Sequence, residues 1–182
     1  MISLNDASPD ERLRIYLNDH LAGAAAGIAL AKRIRDRNTG PVGSTFAELI
    51  PDLESDDRTL RDIVASMDFS GGGAKQLLAD VVEKVGRLKL NGQIFGYSLL
   101  SKVEELEAMA LGIEGKAKLW TALRTVADRR PQLQRFDFDK LEAQARLQHD
   151  RVEELRIESA REALADTDDE AQSEKVEATR AS

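Results

Sequence analysis

Apolar residues along this chain recur every third or fourth position, the spacing of helix faces rather than of strands. The clearest stretch is Leu99–Val126, where Val103, Leu106, Ala110, Ile113, Ala117 and Trp120 fall on one seam. An earlier helix is predicted from Pro9 to about Arg37. Ser8 serves as its N-cap, Pro9 takes the first helical position and Glu11 completes a capping box. Leu13, Leu17, Leu21 (or His20), Ala24, Ile28 and Ala31 form its seam, and Tyr16, Gly23, Gly27 and Leu30 a second face. A second helix is predicted from about Ser44 to Met67, with Pro51 marking a kink or a broken first turn. Asp56 and Asp57 interrupt its stripe where a core residue is due.

The break Asp68–Gly73 precedes a third predicted helix, Ala74–Leu90, with Leu77, Leu78, Val81, Val82, Val85 and Leu88 on its apolar side. The Trp120-bearing helix starts at Ser98 or Ser101 and is predicted to end near Arg130, before Pro131. A fifth, capped by Asp137, starts at about Phe138. Its seam of Phe138, Leu141, Ala145, Val152 and Leu155 is interrupted by Gln148 and His149. This pattern divides the chain into an N-terminal arm (1–9), a helical bundle domain (10–164) and an acidic disordered tail (165–182).

Composition sharpens that picture at a few points. Aromatics make up 4% of the 182 residues and charged residues 32%, a mix that favours helix over sheet. With no cysteine, disulfides, thiolate metal sites and thiol chemistry are excluded. The net charge of −7, with six acids against two bases from Asp166 to Ser182, argues against a nucleic-acid partner. The run Leu21–Ala31 is too short to span a bilayer, and the acids near the N-terminus are unlike a signal peptide. A soluble, cytoplasmic protein without a membrane partner is expected. Gly71-Gly72-Gly73 lacks the following Lys-Ser/Thr of a phosphate loop and reads as a linker. Gly23-x-x-x-Gly27 predicts a thin helix surface where another backbone approaches closely.

The long helices, the Pro- and Gly-marked connections and the carboxylates near inner faces resemble the ferritin-like superfamily over about Leu13–Arg130. The resemblance implies an all-α, up-down four-helix bundle, here with an additional C-terminal helix, Phe138–Leu164, expected to serve dimer contact. In di-iron members two helices each give a Glu and two each give a Glu-x-x-His. Carried over residue by residue, Asp19 stands for the first carboxylate, and Glu54-Ser55-Asp56-Asp57 offers Glu-x-x-Asp with Asp57 in place of histidine. Glu104 and Glu107 lie on the Trp120 helix, again without histidine. His20 and His149 fall outside the two Glu-x-x-His positions. No cofactor is therefore expected; the alternative is iron or manganese at a carboxylate-rich site of Glu54, Asp57, Glu107 and Glu114.

The reading preferred for these charges is a buried polar network of Asp19, His20, Asp56, Lys84, Glu107 and Glu114. Lys84, Arg87, Lys116 and Lys118 are its candidate cations, because unpaired charge inside a bundle is costly. His20 is expected to be a hydrogen-bonded structural histidine. No Ser-His-Asp order, Gly-x-Ser-x-Gly or nucleotide loop supports enzymatic function. The expected role is a non-catalytic, ferritin-like scaffold or stress-associated protein that self-associates as a homo-oligomer, and enzymatic activity is not expected. The alternatives are a metal-binding oxidoreductase or storage protein and a binding module for a small apolar ligand, with Gly23 and Gly27 supplying room.

Overall fold

A computed structural model describes residues 7–67, 69 and 97–165. They form four long helices: α1 (Pro9–Arg37), α2 (Gly40–Ser66), α3 (Leu99–Val126) and α4 (Phe138–Leu164). Two single 3-10 turns, Ala127–Arg129 and Pro131–Leu133, join α3 to α4 in place of the expected continuation to Arg130. The described residues are all-α, with no strand. The predicted helix Ala74–Leu90 with Lys84, most of the break Asp68–Gly73, most of the N-terminal arm and nearly all of the acidic tail lie outside them.

Side-chain caps start three of the helices. The Glu11 amide donates to Ser8 Oγ at 3.2 Å, the Ser101 amide to Ser98 Oγ at 3.1 Å and the Lys140 amide to Asp137 Oδ1 at 3.0 Å. Ser98, rather than Ser101, therefore begins α3. Asp10 and Glu11 in the first turn of α1, and Arg35 and Arg37 in its last, match the helix dipole.

Helix α2 departs from expectation. It starts at Gly40, four positions before Ser44, and Thr39 makes no side-chain cap bond. Ser44 lies inside the helix, where its hydroxyl donates to the Gly40 carbonyl at 2.6 Å. Two residues, Asn38 and Thr39, are all that separate α1 from α2, and glycines make so short a turn possible. Gly40 has φ +66°, a left-handed conformation strained for residues with a Cβ. A methyl group on Gly43 would collide with the Asn38 carbonyl oxygen. Asn38 locks the turn, its side-chain amide donating to the Ile34 carbonyl at 2.8 Å and to the Tyr97 hydroxyl at 2.7 Å. Downstream, α2 runs unbroken through Pro51. The buried Leu49, Ile50 and Leu53 around it hold the helix together, so packing outweighs the roughly 3 kcal/mol that an interior proline costs.

Ion pairs between helices record their directions. Lys32 meets Glu54 at 2.7 Å, Arg33 meets Glu105 at 2.8 Å, and Arg130, just past α3, meets Asp10 at 2.8 Å. Lys102 pairs with Glu162 at 2.5 Å, and Arg124 with Asp139 at the opposite end of α3 and α4. Thus α1 lies antiparallel to α2 and to α3, and α3 antiparallel to α4. The core has two parts. One gathers Leu17, Leu21, Leu60, Ile63, Trp120, Leu123, Leu133, Phe138 and Ala145; the other Ile34, Phe46, Leu49, Leu53, Leu106, Ile113 and Val152. Helix α4 buries Phe138, Ala145, Gln148, Val152 and Ser159. The helix expected to contact a second copy therefore spends this face on its own chain.

The glycines of the turn and those within helices should respond oppositely to added bulk. Gly43→Ala is expected to lower the unfolding free energy by about 2 kcal/mol through backbone strain, and Gly40→Ala by about 1 kcal/mol. Gly23→Ala, at a helix position with no described atom in the way, should raise it by about 0.5–1 kcal/mol. Urea unfolding followed by circular dichroism measures all three.

Candidate functional site

Three polar side chains from three helices meet inside this core. Asp56 of α2 is 5% exposed and Gln148 of α4 is 3% exposed. Between them, Lys116 of α3 places Nζ 2.5 Å from Asp56 Oδ2 and also donates to Gln148 Oε1. Gln148 Nε2 closes the triangle by donating to the same Asp56 oxygen at 3.3 Å. The trio lies at the junction of the two core clusters on every helix it joins. Asp56 falls between Leu53 and Leu60, Lys116 between Ile113 and Ala117, and Gln148 between Ala145 and Val152. Burial pushes the Lys116 ammonium below its ordinary 10.5, against the opposing pull of the Asp56 and Asp52 carboxylates.

Beside this trio a cavity of about 400 Å³ opens between α1, α2 and α3. Ile28, Leu53, Leu60, Ile113 and Trp120 line it with apolar surface; Asp56 and Lys116 form part of its wall. Four helical glycines, Gly23, Gly27, Gly112 and Gly115, also face it. A methyl group on Gly23, Gly112 or Gly115 would meet no described atom within 4 Å, and one on Gly27 only the Met109 methyl at 3.8 Å. The close backbone approach expected at Gly23 and Gly27 is thus not made by any described residue; the missing side chains leave open volume instead. Tyr16 and His20 add two rings to the wall, packed edge to face with centroids 4.6 Å apart. Burial lowers the His20 pKa below its usual 6.5, with Asp19 acting in the other direction, and raises that of the Tyr16 hydroxyl.

The expected site residues are dispersed. Glu54 pairs with Lys32, Asp57 with Arg61 at 2.8 Å, and Glu114 with Lys118 one turn along the same helix at 2.9 Å. Glu107 is exposed. Among the described residues no group of three or more histidine, aspartate or glutamate side chains is placed to hold a metal ion. Glu54, Asp57, Glu107 and Glu114, the carboxylates named for iron or manganese, are therefore not gathered into one such group. Of the six residues expected in a buried network, Asp56 is buried. His20 is half-buried on the cavity wall, Asp19 is an exposed cavity-lining residue, Glu107 is exposed, Glu114 is half-buried beside Lys118, and Lys84 lies outside the described residues. Lys116, only one of several candidate cations in the sequence, is the partner that Asp56 meets. Gln148 had left its mark as a polar break in an apolar seam.

No protein-family model, curated protein or solved structure matches the chain. No helix among the described residues is long and apolar enough to cross a membrane.

The trio's energetics are testable. Lys116→Met should cost about 3–5 kcal/mol by leaving the Asp56 carboxylate buried without its cation, whereas Asp56→Leu/Lys116→Met/Gln148→Leu should recover most of that loss. Denaturant titrations of the single and triple variants measure this contrast. The pH dependence has a definite sign. Because His20 binds its proton more weakly when folded, the unfolded chain takes up more protons as pH falls through about 6.5. Stability should therefore drop on acidification from that point, above the range where carboxylates titrate, and His20→Gln should remove this component. Lys116 acts in the same sense near its own range, adding stability as pH rises from its lowered folded value towards 10.5.

Proposed function

We propose that this chain is a helical binding module holding a small, uncharged, largely apolar molecule between α1, α2 and α3. The observation that carries this reading is the cavity of about 400 Å³ faced by four helical glycines. Each glycine inside a helix costs roughly 1 kcal/mol relative to alanine, and at three of these positions no described neighbour requires one. What the four positions share is that any side chain there would occupy the cavity. Its size falls within the roughly 300–1,000 Å³ range of small-molecule sites. An uncharged ligand suits the inner wall, where Lys116 balances Asp56, Arg61 balances Asp57, and the His20 ring and Tyr16 hydroxyl are neutral at pH 7, the Asp19 carboxylate being exposed.

An up-down, ferritin-like arrangement of the bundle stands beside this reading as a proposal, supported by the antiparallel pairing of α1 with α2 and of α3 with α4. The dispersed carboxylates lend no support to a ferritin-like metal function. A self-associating scaffold is the less favoured role, since α4 already packs along α3 of its own chain.

Titration with the neutral apolar dye N-phenyl-1-naphthylamine tests the cavity. One saturable site per chain is expected. Gly23→Leu/Gly112→Leu should weaken binding by at least about tenfold while circular dichroism shows retained helix, because filling volume removes contacts without breaking the bundle. Equal binding to the filled variant overturns the reading. So does binding that appears only after Leu78→Asp/Val82→Asp, which would assign the volume to the chain's own packing.

A further inference from the structure

Lys116 is more than a spacer in the cavity wall. Its amine is oriented by two acceptors, Asp56 Oδ2 at 2.5 Å and Gln148 Oε1, and sits in surroundings dry enough to disfavour its charged form. A lysine so placed becomes a nucleophile when it hands a proton to a neighbouring base. Asp56 is that base, already in hydrogen-bond contact. The cavity supplies apolar volume within which a small carbonyl compound can be held while it reacts.

We propose that Lys116 captures small apolar aldehydes as a reversible imine. The inference rests on the cavity being a ligand site and names the ligand's reactive group. The Lys116 ammonium passes one proton to the Asp56 carboxylate, and the freed Nζ lone pair attacks the carbonyl carbon. The carbonyl electron pair moves to oxygen, which takes the proton held by Asp56, and the nitrogen then returns one of its own protons to the freed Asp56 carboxylate. Protonation of the resulting hydroxyl by Asp56 lets the C–O bond break and water leave. A protonated imine remains, paired with the Asp56 carboxylate. One ammonium and one aldehyde have become one iminium and one water, with no oxidant or reductant consumed. Gln148, which donates to Asp56 and accepts from Lys116, is a positioning residue for the pair.

Incubation of the full chain with hexanal and cyanoborohydride, followed by peptide mass spectrometry, tests the capture. Reduction fixes each iminium as a hexyl-lysine. Lys118, two positions away and exposed, is the internal reference. Lys116 is expected to be modified at least about tenfold faster than Lys118, with a rate that rises at lower pH than that of the reference. Compared at equal free-amine fraction, since loss of the carboxylate also lowers the Lys116 pKa, Asp56→Asn should slow Lys116 modification by about 10- to 100-fold, and Lys116→Arg should abolish it. Hexanol, which has the same chain but no carbonyl, should displace the dye without leaving an adduct. If dye and hexanol bind but Lys116 reacts no faster than Lys118, the capture is refuted and the cavity reading survives. If neither dye nor hexanol binds the wild-type chain, the cavity reading itself falls, and this inference with it.

Discussion

The constraint on which this bundle depends is the cost of keeping the Lys116 ammonium out of water. Burying an isolated cation costs several kcal/mol, and the structure offsets it with a carboxylate from α2 and an amide oxygen from α4. Apolar contacts have no such directional demand, since a leucine seam tolerates sliding and repacking. The Asp56–Lys116–Gln148 contacts do not, because a slip of one helix turn would strand a charge. The trio therefore fixes how α2, α3 and α4 are set against one another, and it divides the apolar interior into two clusters. Surface ion pairs such as Lys32–Glu54 and Arg151–Glu48 follow the same alignment, but exposed pairs contribute at most about 1 kcal/mol each.

Much of the helical architecture is legible in the sequence. Helices α1 and α4 occupy the spans their seams and caps predict, because Ser8 and Asp137 are strong local start signals. Ser44 resembles a cap, but α2 starts four residues earlier because the turn depends on Gly40 and Gly43, whose requirement is a backbone conformation and a steric fit that no capping pattern signals. Pro51 likewise signals a break that packing on the buried face overrides. The polar trio was half visible. Asp56 and Gln148 interrupt apolar stripes, but pairing either with Lys116 requires knowing how side chains 60 and 32 positions away align with it. Glu107 and Glu114 show the converse difficulty. Their seven-residue spacing puts them along one side of α3, yet a position at the edge of a seam does not say whether it faces a neighbour or solvent.

Glycine has two opposite uses in this chain. In the turn after α1 it is required by the backbone, through the positive φ of Gly40 and the carbonyl lying against Gly43. Along α1 and α3 it removes bulk beside a cavity, at an entropic cost to each helix. Sequence spacing alone suggests the same explanation for Gly23 and Gly27 as for any close helix crossing. Only the volume around them separates a contact from a space.

Trp120 is the chain's single tryptophan, 1% exposed, and its indole N–H meets no acceptor among the described residues. It belongs to the cluster containing Leu17, Leu60 and Phe138 and not to the one containing Phe46 and Leu106. Intrinsic emission excited at the red edge of protein absorption therefore views only one half of the interior, from a dry and blue-shifted site. The other half is optically silent. Fluorescence and helical ellipticity will coincide during unfolding only if the polar layer couples the two halves, so this one chromophore makes the cooperativity of the bundle directly observable.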